Sequence, residues 1–369
     1  MVRYGIIGIG AMGREHAANL KHISGAHVTA VADPDLGSRT KASKELDSDV
    51  KIFENYADLL NSDLVDVVII ATPNYTHVNV LKDALATDLH VFIEKPLCTT
   101  VDDCVKVIEW SKGRKSLVWM GLEYRYMPPV AELIKIVHNG GVGEVQQVAI
   151  REHREPFYPK VGDWNRFTEK TGGTLVEKCC HYFNLMDHIS GERPVRVFAS
   201  GGQRVNFLDE VYDGKRADML DSAYVIVEYP SGKRAMLDLC MFAENSVDKE
   251  HIVVTGSEGK VESFLPSCEL RHGKRSAVGS FSQWTHDSFK TKELDIRKIW
   301  DERIKYSGFH YGASYLEHLK FFLAITGQGS PEVTLEDGLR SVATGIAAHK
   351  SINEGRPVLM SEVLPAGWN

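Results

Sequence analysis

The feature that most constrains this chain stands at its start. Val2 to Ile7 is a short apolar run that leads into G-I-G-A-M-G at 8 to 13, and an amphipathic segment continues to about Ile23. That pattern predicts a strand, a tight turn and a helix. Gly8 permits the turn, Gly10 lets the backbone approach a pyrophosphate, and Gly13 allows the helix to pack closely on the strand. Ala11 and Met12 fall at the helix N-terminus, where the phosphates are expected. A second strand, Val28 to Ala32, ends in Asp33, twenty residues after Gly13. An acidic residue there accepts hydrogen bonds from both ribose hydroxyls of NAD and repels the additional phosphate of NADP. The unit predicts a dinucleotide-binding domain that prefers NAD, with Arg39 and Lys41 as nearby cations that argue the other way.

The alternation of strand and helix continues from there. Helix is expected from about Gly37, a short strand at Lys51 to Phe53, helix near Tyr56 to Leu60, and then the apolar strand V-D-V-V-I-I-A ending at Ala71. A run of that kind suits a strand buried on both faces of a parallel sheet. Thr72, Pro73 and Asn74 leave it at its carboxyl end, where ligands bind in open α/β sheets. His77, at the start of the next helix, either lines the cofactor cleft or caps a turn. The strand His90 to Ile93 runs into Glu94-Lys95-Pro96, again at a carboxyl end, so Lys95 is expected to point to where a nicotinamide would sit. The proline constrains the backbone and is a candidate cis residue. Helix from about Val101 to Arg114 and a strand Leu117 to Gly121 complete a sheet of about six strands.

With 369 residues the chain exceeds one typical core, and two domains are expected. The periodicity changes after Gly121, which places the division at 1–122 and 123–369. In the second part strands dominate: Val145 to Arg151, Val195 to Gly201, Ser222 to Tyr229, Ala235 to Phe242 and His251 to Gly256. Helices are expected at Val130 to His138, Tyr311 to Thr326 and Leu335 to Asn353. Such runs imply an α+β domain on a mostly antiparallel sheet. The formal charge of -7, with dispersed basic residues, gives no field to attract nucleic acid. Six scattered cysteines do not form a disulfide framework, and no apolar run approaches the roughly 20 residues of a membrane helix. A start that enters a strand directly predicts no signal peptide, and a reducing, cytoplasmic setting is expected.

The stretch G-G-T-L-V-E-K-C-C-H-Y-F-N-L-M-D at 172 to 187 carries the second concentration of chemistry. On a continuous helix Glu177 and His181, four residues apart, share a face. A carboxylate beside an imidazole orients it and raises its basicity, as proton transfer near neutral pH requires; an ordinary surface ion pair is the plainer reading. Glu177, Cys179, Cys180 and His181 are also potential metal ligands. Adjacent cysteines point to different sides of a helix, however, and no second cluster completes a site, so no metal is expected. Upstream, Tyr158 and Trp164 supply flat apolar faces, while Glu152, His153, Arg154, Asp163, Asn165 and Arg166 supply hydrogen-bonding groups, a mixture suited to a sugar ring. His310 and Tyr311 are further candidates.

With these pieces in place the chain resembles the Gfo/Idh/MocA oxidoreductases over nearly its whole length. The likeness rests on G-I-G-A-M-G at 8 to 13, A-T-P-N-Y-T-H at 71 to 77, E-K-P at 94 to 96, the G-G-T-L-V-E-K-C-C-H stretch, and E-D-G-L-R-S-V-A-T-G-I-A-A-H-K-S at 336 to 351. The resemblance implies that the cofactor is held by Gly8, Gly10, Ala11, Met12, Gly13, Asp33, Thr72, Pro73, Asn74, His77, Glu94 and Lys95. It implies Lys95 at both substrate hydroxyl and cofactor, His181 as the acid/base, and Glu177 in a position commonly held by aspartate. Lys95, Arg125, His153, Trp164, Asn165, Glu177, His181 and His310 are the substrate-binding expectation. An open-faced sheet in the second domain implies a homodimer or homotetramer.

The function expected is NAD-dependent transfer of a hydride to or from a secondary hydroxyl of a sugar, cyclitol or sugar derivative. Two alternatives stand beside it: an NAD-dependent glycoside hydrolase working by transient oxidation and elimination, and a non-catalytic NAD-binding regulator. The pair Lys95 and His181 argues against the regulator, because a binder has no need to activate a hydroxyl.

Overall fold

The computed structural model of the protein describes residues 1–275 and 294–368. The first sheet is built from β1 (Val2–Ile7), β2 (Ala26–Ala32), β3 (Lys51–Phe53), β4 (Val67–Ile70), β5 (His90–Glu94) and β6 (Val118–Gly121). Their order is β3-β2-β1-β4-β5-β6 and every pairing is parallel. The connections are α1 (Ala11–Leu20), α2 (Leu36–Glu45), α3 (Tyr56–Leu60), α4 (His77–Leu85) and α5 (Val101–Ser111). All four residues of β4 are buried, the expected consequence of helices on both faces. Three of these helices start where a side chain satisfies a free N–H group: Asp35 accepts from the Ser38 amide, Asn55 from that of Ala57 and Thr100 from that of Asp103. The strand order reverses direction between β1 and β4, so the crevice at their carboxyl ends is the expected ligand site.

Among the described residues the second sheet has nine strands: β7 (Val145–His153), β8 (Arg196–Gly202), β11 (Ser222–Glu228), β12 (Arg234–Cys240), β13 (Glu250–Gly256), β14 (Gly259–Leu265), β15 (Glu269–Lys274), β16 (Leu294–Lys298) and β17 (Val358–Leu359). Between β8 and β11 lies a separate small hairpin, β9 (Val211–Tyr212) and β10 (Lys215–Arg216). The sheet order is β16-β15-β14-β13-β7-β12-β11-β8-β17, antiparallel except where β12 runs parallel to β7. The sequence predicts five of these strands; β14 to β16 carry charges at many positions, which hides their alternation. One face packs on helices α6 (Pro128–His138), α9 (Cys180–Ser190) and α11 (Leu335–Glu354), and the other is open. In β11, Ala223, Val225 and Val227 are buried while Tyr224 and Ile226 between them are exposed.

Two further short turns, α7 (Thr168–Thr171) and α8 (Thr174–Glu177), and the helix α10 (Ala313–Ile325) complete the chain. The two sheets are tied together through α11, which packs on α5 and β6, and α10, which packs on α1. Glu317 of α10 accepts hydrogen bonds from the Trp119 indole and the Leu122 amide, both 3.1 Å. No helix among the described residues is long and apolar enough to cross a membrane.

Candidate active site

At the end of β1 the chain turns through Gly8 at φ +87°, where an added Cβ would lie 2.6 Å from the Ala71 carbonyl oxygen. A Cβ on Gly13 would lie 2.0 Å from the Gly8 oxygen, so the helix can start this close only without one. Gly10, by contrast, has nothing within 4 Å of its missing Cβ, and no side chain caps the N-terminus of α1. Ala11 and Met12 form the first turn of that helix. The space and the free amides fit the pyrophosphate of a dinucleotide. Asp33 follows β2, its two carboxylate oxygens accepting from the amides of Ile9 (2.9 Å) and Asp35 (2.8 Å). These bonds fix the carboxylate at the mouth of the turn and leave lone pairs for ribose hydroxyls. Arg39, the nearest cation, donates instead to the carbonyls of Asp33 and Pro34 and to Glu54.

The loops after β4 and β5 run toward the second sheet. Thr76 hydroxyl donates to Thr72 Oγ1 and the Pro73 carbonyl. Asn74 Nδ2 donates to Glu177 Oε2 and, at 3.2 Å, to the Thr171 carbonyl, which joins this loop to the G-G-T-L-V-E stretch. His77 is fully buried, its ring nitrogens 2.8 Å from the Pro96 carbonyl and 3.0 Å from the Thr72 carbonyl. It therefore holds two loops together beneath the crevice and does not line it, a correction to one of its two sequence readings. The Lys95-Pro96 bond is cis. Glu94 accepts from the Lys95 amide at 3.0 Å and lies 2.9 Å from His16 Nε2. Burial opposes its ionisation, but His16 and the Lys95 charge hold it down to about 2.

Lys95 Nζ donates to the Glu177 carbonyl at 3.0 Å and lies 3.9 Å from Glu177 Oε1. Burial works against its charge, yet the Glu177 carboxylate, with Cys180 and Glu94, raises its pKa above the ordinary lysine value, so it is an ammonium. Lys160 approaches the same Glu177 oxygen at 3.8 Å from the other side, its ammonium 4.7 Å from the centre of the Trp164 ring. Trp164 is thereby a wall beside Glu177, with Tyr75 edge-on to it.

The pairing of Glu177 with His181 expected from their spacing is not formed. Glu177 ends α8 and α9 begins at Cys180, with Cys179 between them at φ -86°, ψ -4°. Gly173, at φ +87°, starts α8 so close to α11 that a Cβ would lie 2.4 Å from His349 Nε2, and that nitrogen accepts the Leu175 amide at 3.1 Å. Lys178 is drawn to Glu152 Oε1 (2.9 Å) and the Tyr124 hydroxyl (2.5 Å). The Glu177 carboxylate consequently faces Asn74, Lys95 and Lys160. His181 stacks flat on Tyr124, ring centres 4.0 Å apart, and its Nε2 lies 3.6 Å from Glu123 Oε1. Burial, with the charges of Lys95 and Lys178, pushes the imidazole well below 6.5, so it is neutral and able to accept a proton. His310 Nδ1 lies 3.5 Å from the same Glu123 oxygen, its pKa lowered to about 3 by burial and by Lys178.

Of the other expected substrate contacts, Arg125, His153 and Asn165 are placed elsewhere. Arg125 is buried among Asn184 (2.7 Å), the Glu332 carbonyl (3.1 Å) and Asp337 (3.2 Å), tying the segment after β6 to α9 and α11. His153 points to the open face of the sheet, where Nε2 meets Asp238 at 3.1 Å; alternation along β7 sends Glu152 inward and His153 outward. Asn165 donates to the Tyr158 carbonyl at 2.9 Å and holds its own loop. Arg166 pairs with Glu210, and Tyr158 is exposed. The structure thus brings Lys95, Glu177, His181, Trp164 and His310 together, and adds Glu123, Tyr124, Lys160 and Lys178, for which no local sequence pattern gives a signal. Among the described residues no group of three or more His, Cys, Asp or Glu side chains could hold a metal ion.

Residues 2–122 match the family described as "Oxidoreductase family, NAD-binding Rossmann fold" and residues 134–360 match its "C-terminal alpha/beta domain". The chain is 28% identical to a myo-inositol 2-dehydrogenase of Thermotoga maritima, over 98% of this chain and all of the relative. It is 25% identical to a 2,7-anhydro-N-acetylneuraminate hydratase of Escherichia coli, over 99% of this chain and 98% of the relative. Among solved structures, a levoglucosan dehydrogenase in complex with NADH superposes with a TM-score of 0.82, covering 97% of this chain and 99% of that one, at 18% identity.

Proposed function

The chain belongs to the Gfo/Idh/MocA family of NAD-dependent oxidoreductases, and from that premise we propose that it moves a hydride between NAD and a secondary hydroxyl of a sugar, cyclitol or sugar derivative. The observation that carries the reading is an ammonium and a neutral imidazole within reach of each other's charge: Lys95, at the end of β5 and held charged by Glu177, and His181, on α9 and held uncharged by burial and by the Lys95 charge. Bound NAD supplies the hydride acceptor. Lys95 holds the reacting oxygen and stabilises its growing negative charge, and His181 takes the hydroxyl proton. Glu177, braced by Asn74, keeps Lys95 in place and offers its carboxylate with Lys160 to neighbouring hydroxyls. Trp164 supplies the apolar face for a ring. Asp33 favours NAD over NADP. In this reading residues 1–122 carry the cofactor and, through Lys95, reach the reacting oxygen, and 123–369 supply the other substrate contacts. The open sheet face, with Phe198, Tyr224, Ile226 and Met236 exposed, joins copies into a homodimer or homotetramer; a monomer in light scattering would refute that assembly.

A screen of monosaccharides, cyclitols, anhydro sugars and simple glycosides with NAD and with NADP tests the proposal. Reduced nicotinamide accumulating with a ring polyol supports it, and turnover of open-chain acids or aldehydes alone would sink it. The E. coli hydratase relative favours one second reading, in which a transient oxidation permits elimination or hydration and the cofactor is regenerated. In that case a rearranged or released product appears without net NADH.

A further inference from the structure

One carboxyl in the crevice has no part in the chemistry above. Glu123 stands two residues after β6 on a short turn and is 3% exposed. Its Oε1 lies between two imidazoles, 3.6 Å from His181 Nε2 and 3.5 Å from His310 Nδ1. Its Oε2, and the other ring nitrogen of His181, Nδ1, are buried with no hydrogen-bond partner among the described residues. Tyr124, next in the chain, stacks on His181 and fixes the plane in which that ring can meet Glu123. We propose that Glu123 is the positioning residue for His181: it selects Nδ1 as the nitrogen that takes the substrate proton, and it stabilises the imidazolium that forms.

The assignment follows from hydrogen-bond complementarity. An ionised Glu123 only accepts, so it holds the His181 proton on Nε2 and leaves the lone pair on Nδ1, the nitrogen without a partner. The hydroxyl proton moves to Nδ1, and the resulting imidazolium faces a carboxylate. Nε2 keeps its proton, turned toward Glu123 Oε1, so the carboxylate stabilises the imidazolium without itself being protonated. When the product leaves, Nδ1 gives the proton up to solvent and His181 regains its starting tautomer. The count balances: one proton leaves the alcohol and one enters water. The separation of 3.6 Å exceeds a formed hydrogen bond, so a rotation of the Glu123 carboxyl closes it as the charge develops.

A protonated Glu123 does the opposite. It donates to Nε2, forces the ring proton onto Nδ1, and removes the base. The groups around it set where this change occurs: Glu94 and Lys95 at the end of β5, Lys178 between α8 and α9, Cys180 and His181 on α9, His310 before α10, and Glu317 on α10. Burial and the Glu94 charge push Glu123 up to about 8, with Lys95 and Lys178 pulling against them. Oxidation is therefore expected to switch on as pH rises through about 8, and not through the lower value of His181 itself.

The proposal rests on the dehydrogenase reading, and its test separates the two. In the full-length protein, the pH-rate profile of alcohol oxidation is measured for wild type, Glu123→Gln, Glu123→Asp and His310→Ala. Glu123→Gln is expected to lose the limb near pH 8 and to run about 10- to 100-fold slower at pH 9, with NAD affinity unchanged. Glu123→Asp keeps the limb at reduced rate. His310→Ala, which removes the second imidazole beside the same carboxyl, keeps the limb. A second readout needs no turnover: imidazole ¹⁵N shifts of His181 and His310 across pH 6 to 10 show an inflection near 8 in wild type that Glu123→Gln abolishes. An inflection or rate limb that survives in Glu123→Gln overturns the proposal. Absence of turnover on every ring polyol counts against the dehydrogenase reading alone, because the NMR titration still decides the role of Glu123.

Discussion

The turn at Gly8 to Gly13 and the stretch from Gly172 to His181 both bring glycines to the start of a helix, and they teach different lessons. In the first, every contact that matters is made within one strand-turn-helix unit or its neighbouring strand: Gly8 against Ala71, Gly13 against Gly8, Asp33 on the Ile9 amide. In the second, the contacts come from across the molecule. Asn74 claims Glu177, His349 supports α8, Glu152 and Tyr124 hold Lys178, and Glu123 meets His181. One region is a local turn whose proposed task is to hold a phosphate; the other is assembled only when the two sheets close on each other.

Breaking the assembled region should have the largest effect. His181→Ala is expected to lower kcat by roughly 10²- to 10⁴-fold with NAD binding close to wild type, and Lys95→Ala is expected to be slow as well but to keep the histidine limb of the pH-rate profile. Isothermal titration with NAD alongside steady-state rates checks this, and a His181→Ala enzyme keeping most of its activity would move the base to Lys95. In the local region the next largest effect is expected at Asp33. In the proposed role its carboxylate would accept two ribose hydroxyls at about 1.5 to 3 kcal/mol each, so Asp33→Ala should weaken NAD by at least tenfold and narrow the gap to NADP. Equal affinity of the wild type for both cofactors would contradict the assignment.

Two smaller effects sharpen the comparison on the assembled side. Gly173→Ala forces a Cβ onto His349 at a positive φ, and about 1 to 3 kcal/mol of stability should be lost; a thermal unfolding midpoint equal to wild type would show that α8 can shift. The least is expected from Glu250, which stands opposite Glu152 across β13 and β7. Burial and the Glu152 charge raise it to about 7. Its folded value lies above the unfolded carboxylate value, so its contribution is present at low pH and is lost as pH rises through about 7. Wild-type stability should fall across pH 5 to 8 by more than that of Glu250→Gln, as urea unfolding at each pH would measure.

The sequence by itself determined the parts whose physics is local. A glycine spacing that only one turn satisfies, an apolar run buried on both sides, and an acid at the next strand's end made the first domain and its cofactor legible. The place of Lys95 directly after β5 was legible because the strand's end fixes where its side chain emerges. The same reasoning failed where it assumed continuity or ignored facing. The four-residue spacing of Glu177 and His181 aligns them only on an unbroken helix, and the chain between them is bent to put Lys178 on Glu152 and Tyr124. His153 lay one residue from a cleft-facing position, and in a strand one residue is the opposite face. Arg125 looked available and is consumed by Asn184 and Asp337, contacts with helices far along the chain. Glu123 belongs wholly to the tertiary structure: nothing in its sequence neighbourhood marks it, and it meets His181 and His310 because the end of the first sheet, α9 and the segment before α10 converge there. Local sequence sets backbone direction, whereas the partner of a buried charge is chosen by whichever distant element packs against it.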